Sequence, residues 1–483
     1  MPHPSDFDAH LRDIAELLTR ERANDAARVL PPTKPGDVAA QFERTAPDDP
    51  RPWSETLDQI ETRILPHITR WFHPGFMGYF PASTSEPAML GELLSAGLGQ
   101  QGMLWQTSPA CTELETRVMD WLARALGLPE RFCAEPIDHD GSPVGGGVIQ
   151  GTASEAVLCV IAAARDRALA RLPEGERWPV RCAVYTSEQA HSSVEKACRV
   201  LGPQTVARAV PTDARLRMDP SALSSMIEED ARTPGVVPCC VVATLGTTST
   251  CAVDPIDAIG RLAESHGLWA HVDAAYMGAQ LILPDQRHHI AGVERFDSFT
   301  MNPHKWLLVN FDCSALWLSP GARRDLIGTM SITPEYLRTS ASESGAVIDY
   351  RDWHVPLGRR FRALKLWMVL RHYGLSGLRA YIRKHLEWAR AFASWVEHDA
   401  RYELAFPVES GLICLSHVGG DEVTQCVLER VNATGRFFLT HCRAPAGRSD
   451  TNRYLIRVAL ANERTTKGHT EDLWRTLQSL ADA

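Results

Sequence analysis

From about residue 86 to 375, short continuous apolar runs alternate with stretches whose apolar positions recur at helical spacing. The runs are CAVYTS near 182, VVPCCVVATLG near 236, LWAHVDAAY near 268, DSFTM near 297 and SALWLS near 314. Runs this short and this continuous predict strands buried on both faces, and the helical stretches between them predict a mostly parallel sheet covered by helices, an α/β architecture. In such sheets ligands sit beyond the carboxyl ends of the strands. Residues 1–85 hold two helix-like stretches separated by the turn-rich Leu30-Pro31-Pro32-Thr33-Lys34-Pro35-Gly36 and a Pro-rich link near Pro47 to Pro52. Such an arm has little core of its own and is expected to pack on another surface, most economically a second copy of the chain. Residues 376–483 begin with a helical stretch, LSGLRAYIRKHLEWARAFASWVE, and continue with strand-like GLICLSH and YLIRVAL before a last helix. They predict a smaller α+β domain, so the expected division is 1–85, 86–375 and 376–483.

Composition narrows the partners. A chain of 483 residues, 44% hydrophobic and 23% charged, is long enough for about three folded units and far from the signature of disorder. The formal net charge of -9, without a Lys/Arg cluster, argues against nucleic-acid and anionic-membrane surfaces and for a small-molecule partner. The N-terminal stretch is acidic and amphipathic rather than a secretion signal, and the longest apolar run is too short to span a bilayer. The expected location is the cytoplasm. Twelve cysteines, scattered and without a CxxC pair, read as reduced thiols.

Four places could carry chemistry. Lys305, in Asn302-Pro303-His304-Lys305-Trp306 after a strand, would lose its charge readily among apolar neighbours, and a neutral amine is what imine formation requires. A lone lysine is more often one that snorkels to solvent. Asp273 ends the strand Ala270-His271-Val272-Asp273 on the same face as His271. A protonated pyridine nitrogen would satisfy it; the alternatives are a helix cap at Ala274 onward or half of a metal site, for which no further ligands stand at suitable spacing. The run Gly145-Gly146-Gly147-Val148-Ile149-Gln150-Gly151-Thr152 leads into a helix whose first residues, Ala153 and Ser154, could seat a phosphate, although glycine-rich turns before Ser/Thr caps are common. His191, just after the strand AVYTS, could lie over an aromatic ring at the same sheet edge or be an ordinary structural histidine. Their order along the chain is more telling than any one of them.

The chain resembles the aromatic L-amino acid decarboxylases of the group II pyridoxal phosphate-dependent family, over about residues 10–475. The resemblance rests on SPACTELE, GTASEA, AHSSVEKA, ATLGTTS, HVDAAY, NPHKWLLVNFDCSALW, DYRDWHVPLGRRFRALKLW and NERTT. It implies the type I (aspartate aminotransferase-like) fold and pyridoxal 5'-phosphate held as an imine by Lys305. Asp273 would be the pyridinium partner and His191 the stacking histidine. Ala153, Ser154, Thr247 and Asn302 would line the phosphate and ring, Ala275 would pack on the ring, and His304 would adjoin the lysine. Tyr336, within the Ser/Thr/Gly-rich stretch from about 328 to 346, matches the catalytic tyrosine of a mobile lid. Trp71, Tyr79, Phe80, Pro81 and Ala82 match a substrate-pocket wall. Gln101 and Met103 match residues that reach in from the second subunit of a homodimer with shared sites.

Within the family the Gly358 position is typically Gly where a bulky indole or catechol is accepted, and Ser in histidine and some phenolic specialists. Ala82 departs from the threonine often found where a catechol hydroxyl is bound, and Gln101 and Met103 replace more apolar or aromatic residues of animal members. The resemblance therefore implies decarboxylation of an aromatic L-amino acid, with tryptophan or 5-hydroxytryptophan at least as suitable as DOPA, and tyrosine and phenylalanine open. The nearest alternative is an aldehyde synthase on the same scaffold, against which Tyr336 and His191 stand. Glutamate decarboxylation lacks a clear basic anchor, and a non-catalytic scaffold would not need Lys305, Asp273 and His191 together.

Overall fold

The computed structural model describes residues 6–135, 144–177, 180–332, 334–335, 339–343, 347–445 and 452–481. The chain divides into two compact units: Met1–Pro81 with Ala391–Ala405 and Cys414–Ala483, and Ala82–Arg390 with Phe406–Ile413.

The larger unit is built on a seven-stranded sheet. Its strands are β1 (Gly146–Gln150), β2 (Arg181–Ser187), β3 (Thr205–Val210), β4 (Val236–Thr244), β5 (Trp269–Asp273), β6 (Ser298–Met301) and β7 (Ser314–Leu318), in the order β1-β7-β6-β5-β4-β2-β3. Strands β3, β2, β4, β5 and β6 run parallel to one another, and β7 is antiparallel to both β6 and β1. The apolar runs at 182, 236, 268, 297 and 314 are thus all strands, and the α/β expectation holds. Helix α1 (Ala153–Ala170) covers one face: Val157, Val160, Ile161 and Ala164 pack with Val184 of β2, Val242 of β4 and Leu316 of β7. Each such fully buried valine or leucine side chain contributes about 1.5–3 kcal/mol.

Strand β1 was hidden in the glycine run, whose purpose the structure changes. A Cβ on Gly147 would lie 2.5 Å from Met119 and 2.7 Å from Trp317, and one on Gly145 would lie 2.0 Å from the Arg131 carbonyl oxygen. These glycines let β1 lie beneath a tryptophan. They do not serve the approach of a ligand, and the candidate phosphate seat is confined to the turn after β1.

A buried ion pair ties the elements beside this sheet. The Arg359 guanidinium donates to Glu115 at 2.5 Å and to the Ile149 carbonyl at 3.0 Å, and it lies 4.7 Å from the centre of the Tyr350 ring. Glu115 also accepts the Ile149 N–H at 2.8 Å. With both side chains almost inaccessible, Arg359→Met would leave a carboxylate uncompensated, and a loss of about 3–5 kcal/mol is expected in urea unfolding. A loss below about 1 kcal/mol would show that the pair does not hold these elements together.

The smaller unit contains β8 (Tyr402–Leu404), β9 (Leu412–His417), β10 (Thr440–Pro445) and β11 (Asn452–Ala459) in the order β10-β11-β9-β8, with helices Asp421–Ala433 and Lys467–Ala481. Part of the N-terminal segment finds its core on this chain's own C-terminal part. The Val29 N–H donates to the Gly435 carbonyl at 2.9 Å, the Met77 N–H donates to that of Phe438 at 3.0 Å, and Phe76 and Met77 are buried. Helix Asp6–Ala23 buries Leu17 alone and exposes Phe7 and Leu18. None of the twelve cysteines is in a disulfide, and all are buried except for the half-buried Cys426. Among the described residues no helix is long and apolar enough to cross a membrane.

Candidate active site

The carboxyl ends of the larger unit's strands carry the residues singled out from sequence. Asp273 closes β5, Thr247 follows β4, His191 follows β2, Ala153 and Ser154 open α1 after β1, and Lys305 lies in the short helix Pro303–Trp306 after β6. Buried Asp273 is fixed by its own turn: its Oδ1 accepts the Ala275 N–H at 3.0 Å. This local turn takes the place of the helix cap that the sequence left open. In register with Asp273 are Thr244 on β4 and Thr300 on β6, whose buried hydroxyls have no hydrogen-bond partner among the described residues.

The electrostatics bring three of these groups together. Burial lowers the pKa of Lys305, and the Asp273 carboxylate and Cys251 oppose that shift. His191 is lowered by burial, raised by Asp273 and lowered again by Lys305, so amine, carboxylate and imidazole act on one another. The His191 ring still opens to solvent, and its Nδ1 accepts the Ser193 N–H at 3.2 Å, which leaves Nε2 to carry the proton of the neutral ring.

The surrounding positions are held by the chain itself. His304 Nδ1 accepts the Cys313 N–H at 2.9 Å, and burial, then Lys305, pushes the His304 pKa down to about 3. Asn302 Oδ1 accepts the Ser314 hydroxyl at 2.7 Å, while its N–H donates to the Ala275 carbonyl at 3.1 Å. Thr247 Oγ1 accepts the Ala252 N–H at 3.0 Å and lies 3.1 Å from Thr250 Oγ1. At the head of α1, Thr152 Oγ1 accepts the Glu155 N–H at 3.3 Å, with Ala153 and exposed Ser154 in the first turn. His271, which the sequence set beside Asp273, is fully buried, and its Nδ1 lies 2.8 Å from the Ser298 hydroxyl.

Buried neutral histidines also set an acid limit. Burial lowers His271 to about 4 and His304 and His354 to about 3. Their folded pKa values lie below the unfolded value of about 6.5, so the stability they support is present above pH 6.5 and is lost as pH falls toward 3. Each should contribute a loss of up to about 1.4 kcal/mol per pH unit in that window, read as a falling urea midpoint. A midpoint unchanged between pH 7.5 and 5.5 would contradict neutral burial of these rings.

The remaining candidates are divided between the units. Trp71, Tyr79, Phe80 and Pro81 belong to the smaller unit, where the Trp71 and Tyr79 rings stack at 6.0 Å and the Arg457 guanidinium lies 5.5 Å from the Phe80 ring centre. Ala82, Gln101, Met103 and Gly358 belong to the larger one. There the Arg359 N–H donates to Gln101 Oε1 at 2.9 Å, and the Met103 carbonyl accepts the Arg351 N–H at 3.3 Å. Tyr336 lies outside the described residues. Sequence reasoning passed over Thr244 and Thr300, which an extended reading of β4 and β6 against Asp273 could have found. It also passed over Arg359 and Glu115, which no local pattern links.

This set of groups fits pyridoxal phosphate. It offers an amine made less basic by burial, a carboxylate with one oxygen held by its own turn, a solvent-facing imidazole, two hydroxyls without a partner among the described residues and the start of an 18-residue helix. Over residues 35–418 the sequence matches the pyridoxal-dependent decarboxylase conserved domain. It is 42% identical over 463 residues to the aromatic-L-amino-acid decarboxylase of Bos taurus, covering 95% of this chain and 92% of that one. It is 41% identical over 464 residues to the phenylacetaldehyde synthase of Arabidopsis thaliana, covering 94% and 91%. In three dimensions it is similar to the crystal structure of Oryza sativa TDC with PLP and tryptamine, with a TM-score of 0.93, 36% identity and coverage of 99% and 98%. The chain therefore belongs to the pyridoxal-dependent decarboxylase family, and its cofactor is pyridoxal phosphate.

Proposed function

We propose that the chain decarboxylates an aromatic L-amino acid to the corresponding arylalkylamine. The placement of Lys305, Asp273 and His191 after three strands of one sheet, in a chain of the pyridoxal-dependent decarboxylase family, carries this reading. The relatives supply the aromatic class: an aromatic-L-amino-acid decarboxylase and a TDC crystallised with tryptamine.

In this reading Lys305 holds the cofactor through its amine, whose charged form burial disfavours. Asp273 pairs with the ring nitrogen through the oxygen its own turn leaves over. Ala153, Ser154, Thr247 and Asn302 serve the phosphate and ring, Ala275 and His191 flank the ring, and His304 supports Lys305 as a neutral neighbour. Bound there, pyridoxal phosphate supplies the electron sink for the bond that loses carbon dioxide. Ala82, Gln101, Met103 and Gly358 of the larger unit are assigned to the substrate. The site is shared in a cytoplasmic homodimer, for which the exposed Phe7 and Leu18 of the N-terminal helix offer contact surface.

Tyr336 is assigned the proton delivered from its hydroxyl to the α carbon of the substrate. Tyr336→Phe keeps the ring but has no proton to give, so dioxygen competes at that carbon. One dioxygen and one water are then consumed per amino acid, and aldehyde, carbon dioxide, ammonia and hydrogen peroxide are formed. Amine formation should fall by roughly 100-fold or more while carbon dioxide release persists. Parent-rate amine with no aldehyde would remove Tyr336 from this role. A panel of tryptophan, 5-hydroxytryptophan, DOPA, tyrosine and phenylalanine, assayed for amine, aldehyde and carbon dioxide, tests the whole reading. Amine from at least one of them supports it, and aldehyde with peroxide as the main product from the parent would favour the synthase alternative that the Arabidopsis relative represents.

A further inference from the structure

The helix that carries Lys305, Pro303–Trp306, is a single turn, so its carbonyls find few partners within it and need donors from elsewhere. A segment 222 residues earlier supplies them. The Ser83 N–H donates to the His304 carbonyl at 2.9 Å, the Ser83 hydroxyl donates to the Lys305 carbonyl at 2.5 Å, and the Ser85 hydroxyl donates to the Leu308 carbonyl at 2.7 Å. Both serines are buried.

This strap serves the lysine segment ahead of its own helix. Ser85 is the N-cap of the helix Glu86–Leu98, where a serine oxygen ordinarily accepts an N–H of the first turn, yet its side chain makes no such bond and turns to Leu308 instead. Leu308 has a φ of 60°, in the left-handed region that a leucine rarely enters, so the chain just beyond the lysine needs holding. The side chains on either side of Lys305 are tied as well: the Cys313 N–H donates to His304 Nδ1, and Trp306 Nε1 donates to His385 Nδ1 at 3.0 Å. Ser83 reaches the main chain of Lys305 itself.

We infer that Ser83 is a positioning residue: by holding the Lys305 carbonyl it fixes the root from which the amine swings, and so sets how often Nζ stands within bonding reach of the cofactor. The four-carbon stem of a lysine lets Nζ sweep widely, and a fixed Cα narrows that sweep. This rests on reading Lys305 as the group that holds pyridoxal phosphate, and it adds a residue that lies in none of the strings carrying the family resemblance. Ser83→Ala isolates the effect. The N–H of residue 83 keeps its bond to His304, so the strap stays while its hold on Lys305 goes.

The test has a chemical, a kinetic and a structural readout. Apo protein is mixed with pyridoxal phosphate, quenched with borohydride at intervals and digested, which gives the rate at which the Lys305 amine adds to the cofactor's aldehyde with loss of water. On the holoenzyme kcat and KM are measured with its best aromatic substrate, and urea midpoints are taken with and without cofactor. Ser85→Ala is the control, since it removes the same kind of bond at Leu308 rather than at Lys305. Both variants should lower the urea midpoint, because each leaves a carbonyl without its donor. Ser83→Ala alone should slow capture at Lys305 and lower kcat, each by about two- to tenfold, the contribution of one neutral hydrogen bond, with KM within about twofold of the parent. Ser83→Cys keeps the shape with a weak S–H donor and replaces the alanine variant if that does not fold; its losses should run in the same direction. Parent rates of capture and turnover in the Ser83 variants, or equal losses in Ser83→Ala and Ser85→Ala, would overturn the inference and leave the cofactor assignment standing. A parent whose label falls on a lysine other than Lys305 would overturn that assignment and the inference with it.

Discussion

Lys305→Ala is expected to lower decarboxylation by roughly 1,000-fold or more, since it removes both the group proposed to hold the cofactor and a base at the reacting centre. The fold should survive. Burial depresses the Lys305 pKa, so the parent already keeps an amine where its charged form is disfavoured, and alanine relieves that cost. The unfolding free energy of the variant in urea should therefore stay within about 1 kcal/mol of the parent's. The decisive readout is chemical rather than kinetic. Borohydride should fix pyridoxal phosphate onto the peptide containing Lys305 in the parent and leave that peptide unlabelled in the variant. Equal labelling of another lysine in the parent would move the assignment away from Lys305.

Asp273→Asn should have the next largest effect. It keeps an acceptor for the Ala275 N–H, so the turn after β5 should persist, but it removes the charge. A hydrogen bond to a charged group contributes about 1.5–3 kcal/mol, which corresponds to roughly one to two decades in cofactor affinity. Turnover should fall further, because a neutral amide no longer maintains positive charge on the ring nitrogen. The same carboxylate raises the pKa of both Lys305 and His191, so the variant should show both titrating lower than in the parent. Equilibrium dialysis gives the affinity, and near-parent affinity with near-parent turnover would exclude Asp273 as the ring partner.

Much of this arrangement could be read from the chain because its signals are local. A strand buried on both faces must be continuously apolar, so VVPCCVVAT and SALWL identify themselves. Lys305, Asp273 and His191 follow such runs, and strand ends place them at one edge. Strand β1 escaped because it opens within a run of three glycines, of which Gly145 and Gly147 are packed closely by the Arg131 carbonyl, Met119 and Trp317 from distant segments. Strand β3, TVARAV, escaped because only its ends are fully buried, and it carries an arginine mid-strand. The grip of Arg359 on Gln101 and Glu115 depends on contacts 258 and 244 residues apart, for which no sequence period exists. The packing of Phe76 and Met77 on the C-terminal part was equally invisible, since Pro-rich segments reveal turns but not the surfaces they lie against.

The place of β1 in the sheet bears on how the molecule is made. Strands β2 to β6 each gain a neighbour soon after they are synthesised, whereas β1 pairs with β7 alone, Gly146 opposite Leu318. A chain emerging from the ribosome must carry β1 unpaired until residue 318 is free, a long loop closed late. The turn that seats Ala153 and Ser154 and the helix that carries Lys305 sit on either side of that last pairing. On the proposed assignment of Ala153, Ser154 and Lys305 to the cofactor, nascent chains shorter than this lack part of its cradle, and pyridoxal phosphate is expected to stabilise the larger unit only after that pairing.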